Sequence, residues 1–241
     1  MNPSSEILIV LGVVGFYLYD SAMLLYSNEF VLIEAHGAWT FRYPQGDWQL
    51  LGRTPYLPNP LTPYAAIFRV SWSPSNLGEQ HQEDPKLQEF TSALNPLRYI
   101  VVVLLVLLVG ELPLLLLHFG VNLGVLVLVG VVYLTIIAML LIVFLRRRVL
   151  QLSSRACGAL AVELLACAPF AINTLRRIAV SRSIAGDPIR FARERLSTES
   201  FAKLVSLVCG RLDEALELED EGSERRGAIV AYRDWITSIG P

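Results

Sequence analysis

Three long runs of apolar residues constrain this chain more than any other feature of its sequence. They cover residues 7–26, 99–119 and 121–145 of a chain of 241 residues. Each run has the roughly 20 residues that an α-helix needs to cross about 30 Å of hydrocarbon, and lipid admits only helices and closed barrels. The pattern therefore predicts a mainly α-helical membrane protein with three transmembrane helices, the last two joined in a tight hairpin.

The composition agrees with this class of protein. Hydrophobic residues make up 54% of the chain and charged residues only 17%, against about 45–50% and about 25% in soluble domains. The net charge of −2 provides no field for nucleic acid, so we expect no nucleic-acid partner. Eighteen arginines against two lysines are typical of a GC-rich genome, which indicates a bacterial protein.

Basic residues at the ends of the runs indicate the orientation. Arg146, Arg147 and Arg148 follow the third run and Arg98 precedes the second, whereas the hairpin turn and the N-terminus carry no lysine or arginine. Because cytoplasmic loops are enriched in these residues, we predict an N-terminus outside and a C-terminus in the cytoplasm, in a bacterial inner membrane. The first run lacks a basic start and a cleavage site, so we expect a retained helix and not a signal peptide.

The runs divide the chain into four parts. Residues 1–26 are the first transmembrane helix, residues 27–98 a cytoplasmic loop, residues 99–145 the helical hairpin and residues 146–241 a cytoplasmic tail. The loop ends in a polar stretch, residues 73–95, that is typical of a flexible linker. The tail shows amphipathic helical spacing, with Asp187-Pro188 as one helix start, and predicts a small bundle or an interface for another subunit.

The cytoplasmic loop has the composition of a small antiparallel β-sheet. Aromatic and β-branched residues are dense in residues 29–43, 48–53 and 64–72, with a turn expected at 44–47. Residues 54–63 contain four prolines, which favour a stiff, extended connector; the alternative is a docking peptide. The aromatic candidates for a docking surface in the loop and the tail are Trp39, Trp48, Tyr56, Trp72 and Trp235.

Positive charge is concentrated next to the third run. Residues 146–195 contain ten basic and three acidic residues, whereas residues 196–241 contain five basic and nine acidic ones. Arginines close to a bilayer attract anionic lipids, so we expect contacts with anionic lipid at the cytoplasmic face. The candidate residues are Arg146, Arg147, Arg148, Arg176 and Arg177.

A fourth apolar stretch, residues 156–172, contains Glu163 and Pro169. A full crossing would place the arginines that follow it outside the membrane, against the positive-inside rule. Its one-faced helical pattern favours a cytoplasmic helix that packs in a bundle or lies on the membrane. The alternative is that it spans or re-enters the bilayer.

Two carboxyl groups lie inside the predicted transmembrane helices, Asp20 in the first and Glu111 in the second. A carboxylate in hydrocarbon costs several kcal/mol unless it is protonated or paired. Their depths, about 9 Å and about 18 Å from the cytoplasmic ends, do not match, and no basic residue lies within a run. We therefore interpret both as contacts to a neighbouring or partner helix, with a proton or ion site as the alternative. Pro113 predicts a kink that gives Glu111 room to bond.

The chain contains no motif of an enzyme class. It has no P-loop, GxGxxG, GxSxG, HExxH or CxxC, and its three histidines and three cysteines lack the spacing of a metal site or a disulfide framework. We therefore predict no catalytic residue, cofactor or metal. The interpretation is a non-enzymatic subunit or scaffold of a membrane complex, with other membrane proteins or a second copy of the chain as partners. The alternative is a component of an ion- or proton-coupled transporter or channel.

Overall fold

The computed structural model describes residues 3–43, 49–76, 85–182 and 187–240. The chain is mostly helical and divides into two compact units. Unit 1 comprises Met1–Ala22, Leu57–Ala66 and Pro85–Ala179, and unit 2 comprises Met23–Tyr56, Ile67–Asp84 and Val180–Pro241.

Unit 1 is built of helices. In chain order they are α1 (Pro3–Ser21), α2 (Pro85–Leu105), α3 (Leu112–Phe119), α4 (Leu123–Arg146), α5 (Ser154–Ala166) and α6 (Thr174–Val180). A π-helical turn, Val106–Glu111, joins α2 to α3, and a 3-10 segment, Ala168–Asn173, joins α5 to α6. The first connection is continuous, so one helix of 34 residues runs from Lys86 to Phe119.

Two helices of the described residues are long and apolar enough to cross a membrane: residues 86–119 and α4. Each has an 18-residue window of mean hydropathy 3.0, and only 28% and 22% of these windows are buried. The rest of unit 1 therefore leaves most of their apolar surface uncovered. The second and third runs of the sequence are confirmed as helices, whereas α1 is not one of the two that meet these criteria.

The first helix is shorter than predicted. It ends at Ser21, and Met23–Leu25 is a β-strand that pairs with Thr54–Tyr56. The apolar run up to residue 26 is therefore shared between a helix and a strand. Hydropathy alone does not mark this boundary, because apolar residues suit both elements.

The long helix starts earlier than predicted, within the residues expected to form a flexible linker. Its first turns carry a stripe of apolar residues at the three- and four-residue spacing of one helix face. The members of the stripe are buried: Leu87, Phe90, Leu94 and Leu97. Burial of this stripe stabilises the helix from Pro85 onward, although most residues between its members are polar.

The predicted tight hairpin between the long helix and α4 is confirmed. Gly120 ends the first helix with φ of +63°, a backbone conformation that glycine adopts without strain. Asn122 caps α4, and its side chain accepts a hydrogen bond from the backbone N–H of Val125 at 3.1 Å. The turn therefore requires only the residues between Phe119 and Leu123.

After α4 the chain folds back along this helix as α5. The hydroxyl of Tyr133 donates to the carbonyl oxygen of Leu165 at 3.3 Å. Because Tyr133 precedes Arg146 by 13 residues, the end of α5 lies about 20 Å from the end of α4. The 3-10 segment then reverses the chain, and Phe170 packs edge-to-face on Phe16 of α1 with ring centroids 6.2 Å apart.

The described residues of unit 2 form five short strands. They are β1 (Met23–Leu25), β2 (Glu29–Ala35), β3 (Ala38–Arg42), β4 (Thr54–Tyr56) and β5 (Ala66–Ser71). β1 pairs with β4, and a three-stranded sheet has the order β3-β2-β5. The pairs β1–β4 and β2–β3 are antiparallel. The prediction of a small antiparallel sheet is therefore confirmed, and β5 lies within the predicted strand of residues 64–72.

The expected strand over residues 29–43 is a hairpin of β2 and β3. Ala35 pairs with Ala38, and His36 and Gly37 form the turn between them, with φ of 53° and 84°. Positive φ at both central positions is the requirement of a type I′ turn.

The expected returning strand over residues 48–53 is not formed by the residues that are described there. Leu50 and Arg53 share only an isolated bridge, and β4 lies further on, in the proline-rich stretch. Pro55 is accepted because this sheet has only two strands, so each strand has a free edge. The expected turn at residues 44–47 lies outside the described residues.

The described part of the tail adds three α-helices to unit 2, as the tail pattern predicted. They are α7 (Pro188–Arg195), α8 (Thr198–Glu217) and α9 (Glu224–Ile239). Each of the last two buries one apolar stripe, formed by Phe201, Leu204, Val208 and Leu212 in α8 and by Ile229, Tyr232 and Ile236 in α9.

Asp187 caps α7 and ties it to α9. One carboxylate oxygen accepts hydrogen bonds from the backbone N–H groups of Ile189, at 2.7 Å, and Arg190, at 3.1 Å. The other accepts from the hydroxyl of Tyr232 at 3.1 Å. Burial raises the pKa of Asp187, and burial together with this carboxylate raises the pKa of Tyr232.

Candidate functional site

The last turns of α1 present three polar side chains on one face. Tyr17, Asp20 and Ser21 are three and four residues apart, which places them side by side on a helix. Tyr17 and Ser21 are buried, and 14% of the Asp20 side chain is exposed. Buried polar groups are stable only with hydrogen-bond partners, so this face requires polar neighbours.

Asn173, at the end of the 3-10 segment, is the first of these neighbours. Its side-chain amide donates to the carbonyl oxygen of Tyr17 at 3.1 Å and accepts from the hydroxyl of Ser21 at 3.0 Å. Asn173 is itself buried. The side-chain amide of Asn173 therefore holds the 3-10 segment, which joins α5 to α6, against α1.

Arg177, one helical turn after Asn173, lies between two carboxylates. Its NH1 is 3.9 Å from Oδ1 of Asp20, and its NH2 donates a hydrogen bond to Oε2 of Glu163. The three groups come from α1, α5 and α6, and together they carry a net charge of −1 when all are ionised. Oδ2 of Asp20 has no hydrogen-bond partner within the described residues. We call Asp20, Glu163 and Arg177 the charge cluster.

The apolar runs contain no basic residue, but Arg177, which lies outside them, is within ion-pair distance of Asp20. Arg177 is 157 residues further along the chain and arrives through the fold-back. Only the tertiary structure brings the two groups together.

Arg176 holds the proline-rich stretch. Its guanidinium is buried and donates to the carbonyl oxygens of Asn59, at 2.6 Å, and Thr62, at 2.7 Å. The hydroxyl of Tyr17 donates to the carbonyl oxygen of Pro60. These bonds fix the stretch within unit 1, which favours the connector interpretation over a docking peptide.

The five arginines predicted to face anionic lipid fall into two groups. Arg176 and Arg177 are engaged inside unit 1 by carbonyl and carboxylate groups. The other three lie at the end of α4 and directly after it, where Arg146 and Arg148 are exposed and Arg147 is half-buried. The sequence shows how many charged residues lie near a helix end, but it does not reveal which of their side chains are buried inside the fold.

Glu111 stands apart from the charge cluster, at the end of the π-helical turn. It is exposed and makes no hydrogen bond or ion pair with any described residue. The irregularity expected from Pro113 is this π-turn, which widens the helix just before the proline. Nearby side chains such as Val106 and Leu114 are apolar and more than half exposed. The carboxyl group is therefore isolated on an apolar surface.

The aromatic residues considered as a docking surface are not gathered on one. Trp48 lies outside the described residues. Trp39 is half-buried between Phe68 and Phe191, with ring centroids 5.4 Å and 5.5 Å away. Its contacts are those of a core residue of unit 2.

The other aromatic candidates also pack into unit 2. Tyr56 is half-buried against a small cluster around Leu25. Trp72 is buried, and both Trp72 and Trp235 stack on Tyr232, with centroids 6.4 Å and 5.4 Å away. These aromatic rings supply part of the interior that a thin sheet and short helices need.

Neither metal nor disulfide chemistry is visible in the described part of the chain. No group of three His, Cys, Asp or Glu side chains there could hold a metal ion. The thiols of Cys157, Cys167 and Cys209 are free.

No protein-family model matches the chain, and no curated protein or solved structure is significantly similar to it.

Proposed function

We propose that the chain is an integral membrane protein in which α1, the helix of residues 86–119 and α4 cross the bilayer. Support comes from the apolar side chains that unit 1 leaves exposed, since soluble monomers rarely show a large contiguous apolar patch. Among them, between 53% and 68% exposed, are Leu8, Leu11, Leu117, Leu126 and Leu134. The distribution of arginine favours an N-terminus outside and unit 2 in the cytoplasm of a bacterial inner membrane.

In this arrangement residues 154–180 form a re-entrant hairpin. α5 starts near the cytoplasmic end of α4 and reaches the level of Tyr133, about 20 Å deeper in a hydrocarbon core of about 30 Å. Irregular backbone at that depth is tolerated where protein buries it, and Ala171, Ile172 and Asn173 of the turn are buried. This supports the re-entrant alternative over a helix in the cytoplasm.

The role that the geometry supports best is that of a non-enzymatic subunit of a membrane complex. The observation that carries this proposal is Glu111. A carboxyl group that faces lipid costs several kcal/mol, and Asp20 has Arg177 whereas Glu111 has no partner in the described residues. A partner helix that donates a hydrogen bond from an arginine, lysine, asparagine or serine satisfies the group. The partner is another membrane protein or a second copy of this chain.

Purification from native membranes tests the role of Glu111. The tagged full chain is isolated in mild detergent as wild type, as Glu111→Leu and as Leu117→Ala, a control on the exposed surface of the same helix. We expect mass spectrometry to find a stoichiometric partner with the wild type and the control, and to lose it with Glu111→Leu. Helical circular dichroism of the three proteins should be the same.

The opposite outcome is equally clear. If Glu111 faces lipid alone, Glu111→Leu removes a costly group and raises the unfolding temperature with no change in what co-purifies. That result, or a wild-type protein with no partner and no second copy bound, contradicts the subunit proposal.

A second candidate, a component of an ion- or proton-coupled transporter, is favoured by the charge cluster. Two carboxylates share one arginine, and an oxygen of Asp20 is left without a hydrogen-bond partner. A proton or a monovalent cation at Asp20 would neutralise the net charge of −1. Loss of ion or proton flux in proteoliposomes with Asp20→Asn, but not with Glu111→Gln, supports this candidate. Absence of flux in the wild type contradicts it.

A further inference from the structure

Glu111 lies on the exposed side of the helix of residues 86–119. The buried side chains of this part of the helix recur every four residues: Leu104, Leu108, Leu112 and Leu116. Glu111 belongs to the other side, whose apolar members are between 47% and 55% exposed: Val103, Val106, Leu114 and Leu117. In a membrane-spanning helix such a surface faces either lipid or another helix, and a carboxyl group on it favours another helix.

The backbone beside Glu111 supplies a second hydrogen-bond acceptor. In the π-turn the N–H of Leu112 donates to the carbonyl oxygen of Leu107, five residues earlier, and the next residue, Pro113, has no N–H. At least one carbonyl group of this turn therefore lacks its helical donor. Gly110 leaves the backbone open at this place, because an added Cβ has no neighbour within 4 Å.

These acceptor groups define what a partner must bring. An ionised carboxylate and a backbone carbonyl accept hydrogen bonds and donate none, and the site also carries one negative charge. An arginine meets both needs, since its guanidinium combines a positive charge with five N–H donors in a planar fork, and a lysine offers a charge with three donors. Asparagine and serine provide donors but leave the charge of Glu111 uncompensated.

A second copy of this chain has no cation at the depth of Glu111. The carboxyl group is about 18 Å from the cytoplasmic end of its span and about 12 Å from the outer end. The sequence contains no lysine or arginine in residues 1–41 or 99–145, and Arg177 is engaged by Asp20 and Glu163. A copy in the same orientation therefore brings only uncharged or acidic side chains to this depth.

We infer that the partner at Glu111 is a transmembrane helix of a different protein, which carries an arginine or a lysine about 12 Å from the outer surface. Charge complementarity is the argument for this occupant, because the exposed surface is apolar apart from one carboxyl group. The inference rests on the proposed subunit role. It narrows the partner of that role to a cationic side chain and to another protein.

Synthetic transmembrane peptides test the chemistry of the partner without its identity. Each is a helix of leucine and alanine with arginine, asparagine or leucine at the depth of Glu111, and energy transfer measures its association with the full chain in lipid nanodiscs. We expect the arginine peptide to bind the wild type about tenfold more tightly than the other two. Glu111→Gln keeps the size but removes the charge, and should abolish this preference. The control Leu117→Ala, on the same surface, should retain it.

The contrary results separate this inference from the proposal on which it rests. Equal binding of the arginine and asparagine peptides overturns the need for a cation, and a preference that persists in Glu111→Gln overturns the assignment to this carboxyl group. A native partner without lysine or arginine in its spans, or a homo-oligomer that Glu111→Leu dissociates, overturns the inference and leaves the subunit proposal intact. A wild-type chain that purifies with neither a partner nor a second copy contradicts both.

Discussion

Replacing Arg177 with glutamine removes the one guanidinium that serves both Asp20 and Glu163. Asp20, with 14% of its side chain exposed, then loses its counter-ion, and so does Glu163, which is 46% exposed. The net charge of the cluster changes from −1 to −2. In Asp20→Asn, by contrast, the pair of Arg177 and Glu163 remains and the net charge becomes zero.

The expected magnitude follows from burial. Removing one partner of a fully buried ion pair costs about 3–5 kcal/mol, but Arg177 is 32% exposed and lies 3.9 Å from Asp20, so the cost for this looser pair is smaller. We expect Arg177→Gln to lower the free energy of unfolding by about 2 kcal/mol and Asp20→Asn to lower it by less than about 1 kcal/mol. The double variant should resemble Asp20→Asn, because no stranded carboxylate is left on α1.

A double-mutant cycle in detergent measures these differences. The four proteins are unfolded with sodium dodecyl sulfate in mixed micelles, and the helical circular dichroism signal is followed. A coupling of about 1–2 kcal/mol between the two substitutions is the expected result for groups in contact. Additive effects would refute the reasoning, since they mean that Arg177 does not stabilise the ionised Asp20.

Two further predictions concern unit 2. Asp187→Asn should stay folded, because asparagine caps helices as well as aspartate. It should also remove a pH dependence: the pKa of Asp187 is raised in the folded state, so its contribution to stability is full below its unfolded-state pKa and is lost as the pH rises through the folded-state value. Denaturant unfolding over a pH series checks this, and a variant with the same pH dependence as the wild type contradicts it. Gly37→Ala forces a methyl group into a turn with φ of +84° and should cost about 1–2 kcal/mol. Thermal unfolding measures this loss of stability. The control variant, Gly12→Ala, adds a Cβ with no neighbour within 4 Å and should cause no loss of stability in the same assay. Equal losses in the two variants would rule out backbone strain as the cause.

The apolar runs predicted the long helices well because hydropathy is a local property. Residues 99–119 and 121–145 are helical over nearly their whole length, and the short turn between them follows from their spacing. The early start of α2 was also encoded, in the apolar stripe from Leu87 to Leu97. Most residues between the members of that stripe are polar, and this polarity favoured the interpretation of residues 73–95 as a flexible linker.

The positive-inside rule does not decide between a re-entrant hairpin and a cytoplasmic helix over residues 154–180, because it tests only full crossings. A segment that enters and leaves on the same side obeys the rule as well as a cytoplasmic helix does. The sequence did contain a signal: Pro169 interrupts the apolar stretch, and Glu163 and Arg177 lie on either side of this proline with opposite charges, 14 residues apart. The contacts to Asp20 and Asn59 could not be predicted, because they depend on the tertiary structure.

In unit 2 the sequence contains the residues of the turn between β2 and β3, but they lie inside a segment rich in aromatic residues. The residues from Glu29 to Tyr43 continue the β-branched and aromatic pattern across His36 and Gly37, so they suggested one strand where the chain forms two. Gly37 marks the turn, because a two-residue type I′ loop needs positive φ at both positions. Burial of Trp39 and Trp72 was not predictable, since sequence does not reveal which face of a short strand is covered.

Cysteine accessibility at two sites tests the membrane arrangement most directly. Val162 on α5 is 70% exposed and Leu218 in unit 2 is 88% exposed, so the protein itself leaves both positions open. In a variant without native cysteines, each site is changed to cysteine and treated in opened membrane vesicles with a charged, membrane-impermeant maleimide. We expect rapid labelling of Leu218→Cys, and of Val162→Cys only after solubilisation, because lipid covers α5 in the proposed re-entrant arrangement. Equally rapid labelling of both sites in intact membranes would mean that α5 lies in water, and it would contradict the proposed membrane arrangement.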